Sequence, residues 1–140
     1  MSPERQSELL RTIAQKVVAA VPPPWTELTY NATLVTGYGE SEILVTHLDG
    51  SVVREFPPRD LPVRDLRAEM YRDGSGTWFS MTLVITPEGR ASTRFNYTDE
   101  PPADGELNPR LFADDLAKFP RDDAHIPDWL RAWLDLAAKR

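Results

Sequence analysis

Three features of the 140-residue sequence predict an α+β fold with a roughly five-stranded antiparallel sheet. An amphipathic helical period at the N-terminus ends at consecutive prolines. Two groups of runs with a period of two, three strands and then two, are joined by short turns. The helical period then returns twice near the C-terminus. Neighbouring strands with helices set apart from them give segregated layers rather than a βαβ alternation. The expected arrangement is a sheet packed by an N-terminal helix, a middle helix and two C-terminal helices, mainly on one face. No linker or internal repeat divides the chain, and its length suits one domain spanning residues 1–140.

Each element has a local reason. Ser2-Pro3-Glu4 opens the first helix, with a capping hydroxyl, proline at the first helical position and an acid in the first turn. Leu10, Ile13, Val17 and Val21 recur at helical spacing, widened by Leu9, Ala14 and Ala20, until Pro22-Pro23-Pro24 stops the helix. Leu28, Tyr30, Ala32 and Leu34 then alternate with Thr29, Asn31, Thr33 and Val35. A turn at Gly37-Tyr38-Gly39 leads to a strand whose inward residues are Ile43, Val45 and His47 or their neighbours Leu44 and Leu48, and Asp49-Gly50 signals a tight hairpin into Val52 to Phe56. After Pro57-Pro58, Val63, Leu66 and Met70 mark a short helix from about Asp60 to Arg72, with Asp73-Gly74 as its stop. The next hairpin runs from Gly76 to Ile85, turns at Thr86-Pro87-Glu88-Gly89 and returns from Arg90 to Tyr97. Period two puts Phe79, Met81, Leu83, Ile85, Ala91, Thr93, Phe95 and Tyr97 on a core face, and Trp78, Ser80, Thr82, Val84, Ser92, Arg94 and Asn96 on a mostly polar one. Asp99 to Gly105 breaks the strand period as an exposed loop. Asn108-Pro109 begins a short helix carrying Leu111, Phe112, Leu116 and Phe119, and Ile126-Pro127-Asp128 opens a last helix with Trp129, Leu130, Trp133, Leu134 and Ala137 on one face.

Composition narrows the function. Hydrophobic and charged contents of 41% and 27% are those of an ordinary soluble globular chain. The absence of cysteine removes disulfides, thiolate metal sites and cysteine nucleophiles, and suits a reducing cytoplasm, which is the expected location. Neither a signal peptide nor a membrane span is expected. The net charge of −6 is concentrated: between Thr98 and Asp128 nine acids face three bases, while the rest of the chain carries thirteen of each. That segment reads either as a solvated face or as a patch attracting a basic partner, and both readings disfavour binding to nucleic acid.

Catalytic constellations are scarce. His47 and His125 lack the second-ligand spacing of a zinc site, so no metal and no cofactor are expected. The loops Gly37-Tyr38-Gly39-Glu40 and Asp73-Gly74-Ser75-Gly76 lack the third glycine with a following helix, or the Lys-Ser/Thr ending, of a phosphate cradle. Ser75, Ser80 and Ser92 have no nucleophile-elbow context. The pairs Asp114-Asp115 and Asp122-Asp123 put adjacent acids on diverging helical directions and read as solvated faces. Trp78, on the polar face of the hairpin, is either buried under a loop or an exposed anchor of the kind enriched at interfaces. The chain is not expected to be an enzyme.

The N-terminal amphipathic helix, Pro24-Trp25-Thr26-Glu27, Tyr30-Asn31-Ala32, Glu42-Ile43, Gly76-Thr77-Trp78-Phe79 and Phe95-Asn96-Tyr97 follow one another in an order that resembles the YezG-like family of immunity proteins over about residues 7 to 97. The Gly-Thr-Trp-Phe and Phe-Asn-Tyr pair carries most of that likeness. The proline-rich acidic loop and the segment from Phe119 to Leu130 depart from the firmicute pattern and are similar to a high-GC, actinobacterial-type variant. The resemblance implies a small intracellular α+β protein that binds and neutralises the toxin domain, often a nuclease, of a secreted polymorphic toxin encoded beside it.

The residues and the resemblance together give an expected partner, a cognate toxin domain, with no membrane partner. The candidate contact residues are Asp99, Glu100, Asp104, Glu106, Asp114, Asp115, Asp122 and Asp123, with Trp78 as aromatic anchor, covering a basic active-site cleft. Two other classes remain open at this point: a non-catalytic adaptor or secretion chaperone, and a small-ligand-binding α+β domain with a pocket between sheet and helices.

Overall fold

The computed structural model describes residues 2–102 and 107–139. Chain order is α1 (Pro3–Ala20), β1 (Glu27–Val35), β2 (Tyr38–Thr46), β3 (Val52–Glu55), α2 (Val63–Glu69), β4 (Ser80–Ile85), β5 (Ala91–Asn96), α3 (Arg110–Lys118), a 3-10 turn (Asp123–His125) and α4 (Asp128–Ala138). The five strands form one antiparallel sheet in the order β3-β2-β1-β4-β5, so the α+β prediction holds.

The capping signal at the start of α1 works as the sequence implies. Ser2 Oγ accepts from the Arg5 N–H at 3.2 Å, and the Ser2 N–H reaches across to Glu69 Oε1 at 2.8 Å, tying the helix start to the end of α2. Leu9, Ile13 and Val17 are buried against Leu28, Tyr30, Ile43, Val45, Met81, Leu83 and Ile85, the alternate residues of three strands, with Leu66 of α2 in the same core. β1 is the organising strand, paired along its length with β2 and with β4 from Leu28 to Thr33. Its turn is one step earlier than expected: Val35 pairs with Tyr38, and Gly37 supplies the positive φ of 86° that a two-residue hairpin turn needs.

The helices divide between the two faces instead of gathering on one. α1 and α2 cover one face. α3 and α4 cover the far end of the other, where Val35, Phe79, Phe112 and Leu130 form a second core with Trp129 and Trp133 packed on it. Val35 is out of phase with Leu28, Tyr30, Ala32 and Leu34, so it points away from α1 and requires its own cover. Edge-to-face contacts from Trp129 to Phe79 and Phe112, at 5.1 and 6.0 Å, and a stacked Phe112–Trp133 pair at 4.9 Å supply it.

A second departure explains the fate of Trp78. Regular strand geometry begins only at Ser80, and the preceding residues slip by one. Ser80 is the ladder partner of Asn96, yet the Phe79 N–H also donates to the Asn96 carbonyl at 2.8 Å. Two residues opposite one is a β-bulge. It turns Trp78 into the first core, fully buried and 5.6 Å from Phe95, and sends Phe79 into the second. Trp78 is therefore not a surface anchor, and Phe79 does not share a face with Met81.

Candidate protein-binding surface

Beyond the end covered by α3 and α4, the sheet face opposite α1 carries no helix among the described residues. From the ladder register, Asn31 of β1 lies between Glu42 of β2 and Thr82 of β4, with Arg94 of β5 beyond Thr82. The side chains form a lateral chain: Asn31 Nδ2 donates to Glu42 Oε2 at 3.0 Å, Thr82 Oγ1 donates to Asn31 Oδ1 at 2.8 Å, and Arg54 Nε pairs with Glu42 Oε1 at 3.1 Å. These groups are half-exposed or exposed, and each retains capacity for a further bond, so the face presents a row of donors and acceptors. The polar face expected for the second hairpin is this one.

The acidic segment borders it. Pro102 lies beside Asn31, Glu42 and Arg54, and Asp99 and Glu100 lie at the Arg94–Asn96 end. Asn96 fixes the approach: its Oδ1 accepts from the N–H groups of Thr98 and Asp99, and its Nδ2 donates to the Asp99 carbonyl at 2.9 Å. Helix α4 holds the other side, with Trp129 Nε1 donating to the Thr98 carbonyl at 2.7 Å and Trp133 Nε1 to Glu100 Oε2 at 3.4 Å.

The predicted acids separate into distinct groups. Asp99 and Glu100 are exposed beside the open face, and Asp114 is exposed on α3. Asp122 and Asp123 are exposed at the 3-10 turn, where the Asp122 N–H donates to the Gly74 carbonyl at 2.7 Å and Asp123 makes a loose pair with Arg131 at 3.8 Å. Asp104 and Glu106 lie outside the described residues.

Asp115 is a correction. It is 5% exposed, and its carboxylate accepts from Arg67 Nη1 at 2.6 Å, Arg67 Nη2 at 2.8 Å, the Thr36 N–H at 2.9 Å and Thr36 Oγ1 at 2.8 Å. Its charge is spent inside the protein. Burial pushes the Asp115 pKa up, but the hydrogen bonds and charge of Arg67, with the Thr36 donors, outweigh it and hold the carboxyl below its ordinary value. Sequence contains a signal for this: Asp115 stands three residues after Phe112 and four before Phe119, on the apolar side of α3, whereas Asp114 does not.

Arg67 was not a candidate from sequence, and it is the hub of this region. Only 2% exposed, it also donates from Nε to the Trp78 carbonyl at 2.6 Å and lies over the rings of Phe79 and Phe119 at 5.6 and 5.1 Å. Arg121 lies over Phe79 as well, at 4.8 Å, and donates to the carbonyls of Thr77, Tyr97 and His125. Burial pulls the Arg121 pKa below its ordinary value, partly offset by the charge of Asp115. The two arginines fasten α2, the bulge, α3 and the 3-10 turn together, and so fix where the exposed acids stand.

Among the described residues no group of three histidine, aspartate or glutamate side chains could hold a metal ion, and no helix is long and apolar enough to cross a membrane. His47 and His125 belong to different parts of the fold, the end of β2 and the 3-10 turn. The sequence matches no protein-family model and no curated protein.

Proposed function

We propose that this chain is an immunity protein that binds and neutralises the toxin domain of a cognate secreted polymorphic toxin by covering a basic active-site cleft with an acidic surface. One observation carries the reading. Asp99, Glu100, Asp114, Asp122 and Asp123 are all exposed, and none is paired with a buried cation, unlike Asp115. Exposed charge without a buried counter-ion, on a scaffold fastened by Arg67 and Arg121, steers a basic partner and meets it without a large ordering cost. The hydrogen-bonding sheet face beside Asp99 and Glu100 supplies area that a stable inhibitory complex needs, about 800 Å² on each side. The likeness in the segment from residue 7 to 97 supports the same reading.

The test is capture of the tagged protein from its own host at low and at high salt, with identification of whatever co-purifies in near-equal amount. A secreted protein whose C-terminal domain is toxic alone and harmless beside this chain is the expected outcome. The variant Asp99→Asn/Glu100→Gln/Asp122→Asn/Asp123→Asn then associates more slowly and protects less, with the difference shrinking as salt rises. Capture of no such protein from cells that express the neighbouring toxin refutes the immunity reading. Unchanged protection by the variant refutes the acidic mechanism.

A further inference from the structure

On the opposite face of the sheet, α1 does not reach β5. An apolar groove of about 660 Å³ runs between them, with Leu83 and Ile85 of β4 as its floor, Leu10, Ala14 and Val18 of α1 as one wall and Ala91 and Thr93 of β5 as the other. β5 is also a sheet edge. The Thr86 N–H donates to the Arg90 carbonyl at 2.9 Å, so that pair is hydrogen-bonded, and by alternation the pairs Val84–Ser92, Thr82–Arg94 and Ser80–Asn96 are bonded too. The N–H and C=O groups of Ala91, Thr93 and Phe95 therefore point outward and have no partner among the described residues; the side chains of Ala91 and Thr93 line the groove, and Phe95, on the same face, packs against Trp78.

We propose that this edge receives an extended segment of a partner protein, added antiparallel to β5, in which apolar side chains alternate with carboxylates. The alternation is dictated by the geometry. Residues opposite Ala91, Thr93 and Phe95 make the main-chain bonds and project into the groove, over its apolar floor of Leu83 and Ile85. The intervening residues project to the other face, beside Arg90, Ser92 and Arg94. Arg90 and Arg94 make no ion pair among the described residues, nor does Arg11 on the groove wall, although the chain as a whole is acidic. Carboxylates at the intervening positions complete that charge. A second copy of β5 would bring serine, arginine and asparagine to the same face, with no carboxylate to meet the cations. Addition of a strand to a free edge, with alternate side chains in a groove beside it, is an established mode of peptide recognition. The groove lies on the other side of the sheet from the acids discussed above, whereas the carboxylates of the added strand lie on their side, at Arg90 and Arg94, with Asp99 and Glu100 beyond Arg94.

The test uses the full chain, isotope-labelled for NMR, and a capped heptapeptide of alternating glutamate and valine at up to millimolar concentration. The amides of Ala91, Thr93 and Phe95 are expected to shift and to gain about tenfold protection from hydrogen exchange, with shifts in Leu10 and Leu83. Methylating the valine nitrogens of the peptide abolishes the effect. So does Thr93→Pro, which removes an outward N–H and no β4–β5 bond, while the unfolding temperature stays near that of the parent chain. The proposal is overturned if the peptide shifts none of these amides or binds equally when N-methylated. It is also overturned if decanoate fills the groove and excludes the peptide without protecting the amides, which identifies an apolar small-molecule pocket, or if sedimentation shows a dimer through this edge.

Discussion

Asp115→Ala is the most demanding test of how this fold is held. The substitution removes the carboxylate paired with Arg67, a side chain 2% exposed, and leaves two guanidinium donors, the Thr36 N–H and the Thr36 hydroxyl without that acceptor. Breaking a buried ion pair from one side costs about 3–5 kcal/mol, because an unpaired charge stays in a poorly solvating interior. Domains of this kind have about 5–15 kcal/mol in all, so the variant loses a large part of its stability. At roughly 3 °C per kcal/mol for a chain of this size, the midpoint falls by about 9–15 °C. Urea unfolding followed by tryptophan fluorescence reads the change. The companion variant Arg67→Met/Asp115→Leu, which removes both charges and keeps apolar volume, is expected to recover most of the loss. A cost below about 1 kcal/mol for Asp115→Ala, or a double variant as unstable as the single, refutes the view that an enclosed charge pair organises this region. The pH dependence has a definite sign. The folded-state pKa of Asp115 is depressed, so its contribution is fully present above the unfolded value of about 3.9 and is lost as pH falls below that through the folded value. Asp115→Ala should remove that portion of the acid sensitivity.

Other substitutions probe separate links. Gly76→Ala meets both a positive φ of 87° and the Arg121 side chain, which overlaps the place of the new Cβ, so it should cost clearly more than Gly50→Ala, where φ is 86° and nothing lies within 4 Å. Equal melting temperatures for the two variants would argue against the Arg121 contact. Trp78→Ala should destabilise by about 3–5 kcal/mol in the same urea assay, since the ring is fully buried in the first core. A surface-like effect below about 0.5 kcal/mol would contradict the bulge that turns it inward. The four-acid variant used to test the proposed function should keep the parent's melting temperature, because the carboxylates of Asp99, Glu100, Asp122 and Asp123 are exposed. A cooperative loss of structure there would mean that the segment is part of the scaffold.

The legible parts of the fold were those written in local periodicity. Leu9, Ile13 and Val17 on α1, and Leu28 to Leu34 on β1, lie where their spacing puts them, because an isolated stripe has one apolar neighbour to meet. The positions that resisted were those where two elements compete. Trp78 and Phe79 follow a period of two in sequence, but the chain must cover Val35 on the far face, and the bulge exchanges the faces of the two rings. The same need splits the helices between faces. Asp115 looked like its neighbour Asp114, since acids on helices are usually solvated, and its partner Arg67 is 48 residues away. No local pattern links the two.

By itself the sequence determined the order and type of the main elements, the apolar faces of α1 and β1 and the acidic character of residues 98–128, because these depend on side-chain chemistry and spacing within a few residues. Tertiary structure alone decided which acids remain on the surface, which aromatic rings enter which core and which edge of the sheet stays open beside an apolar groove. Those outcomes are set by what packs against each position, through dehydration of charge at Asp115, the extra residue at the bulge and the reach of α1 across the sheet. They belong to contacts between segments distant in sequence, and they exist only once the chain has closed.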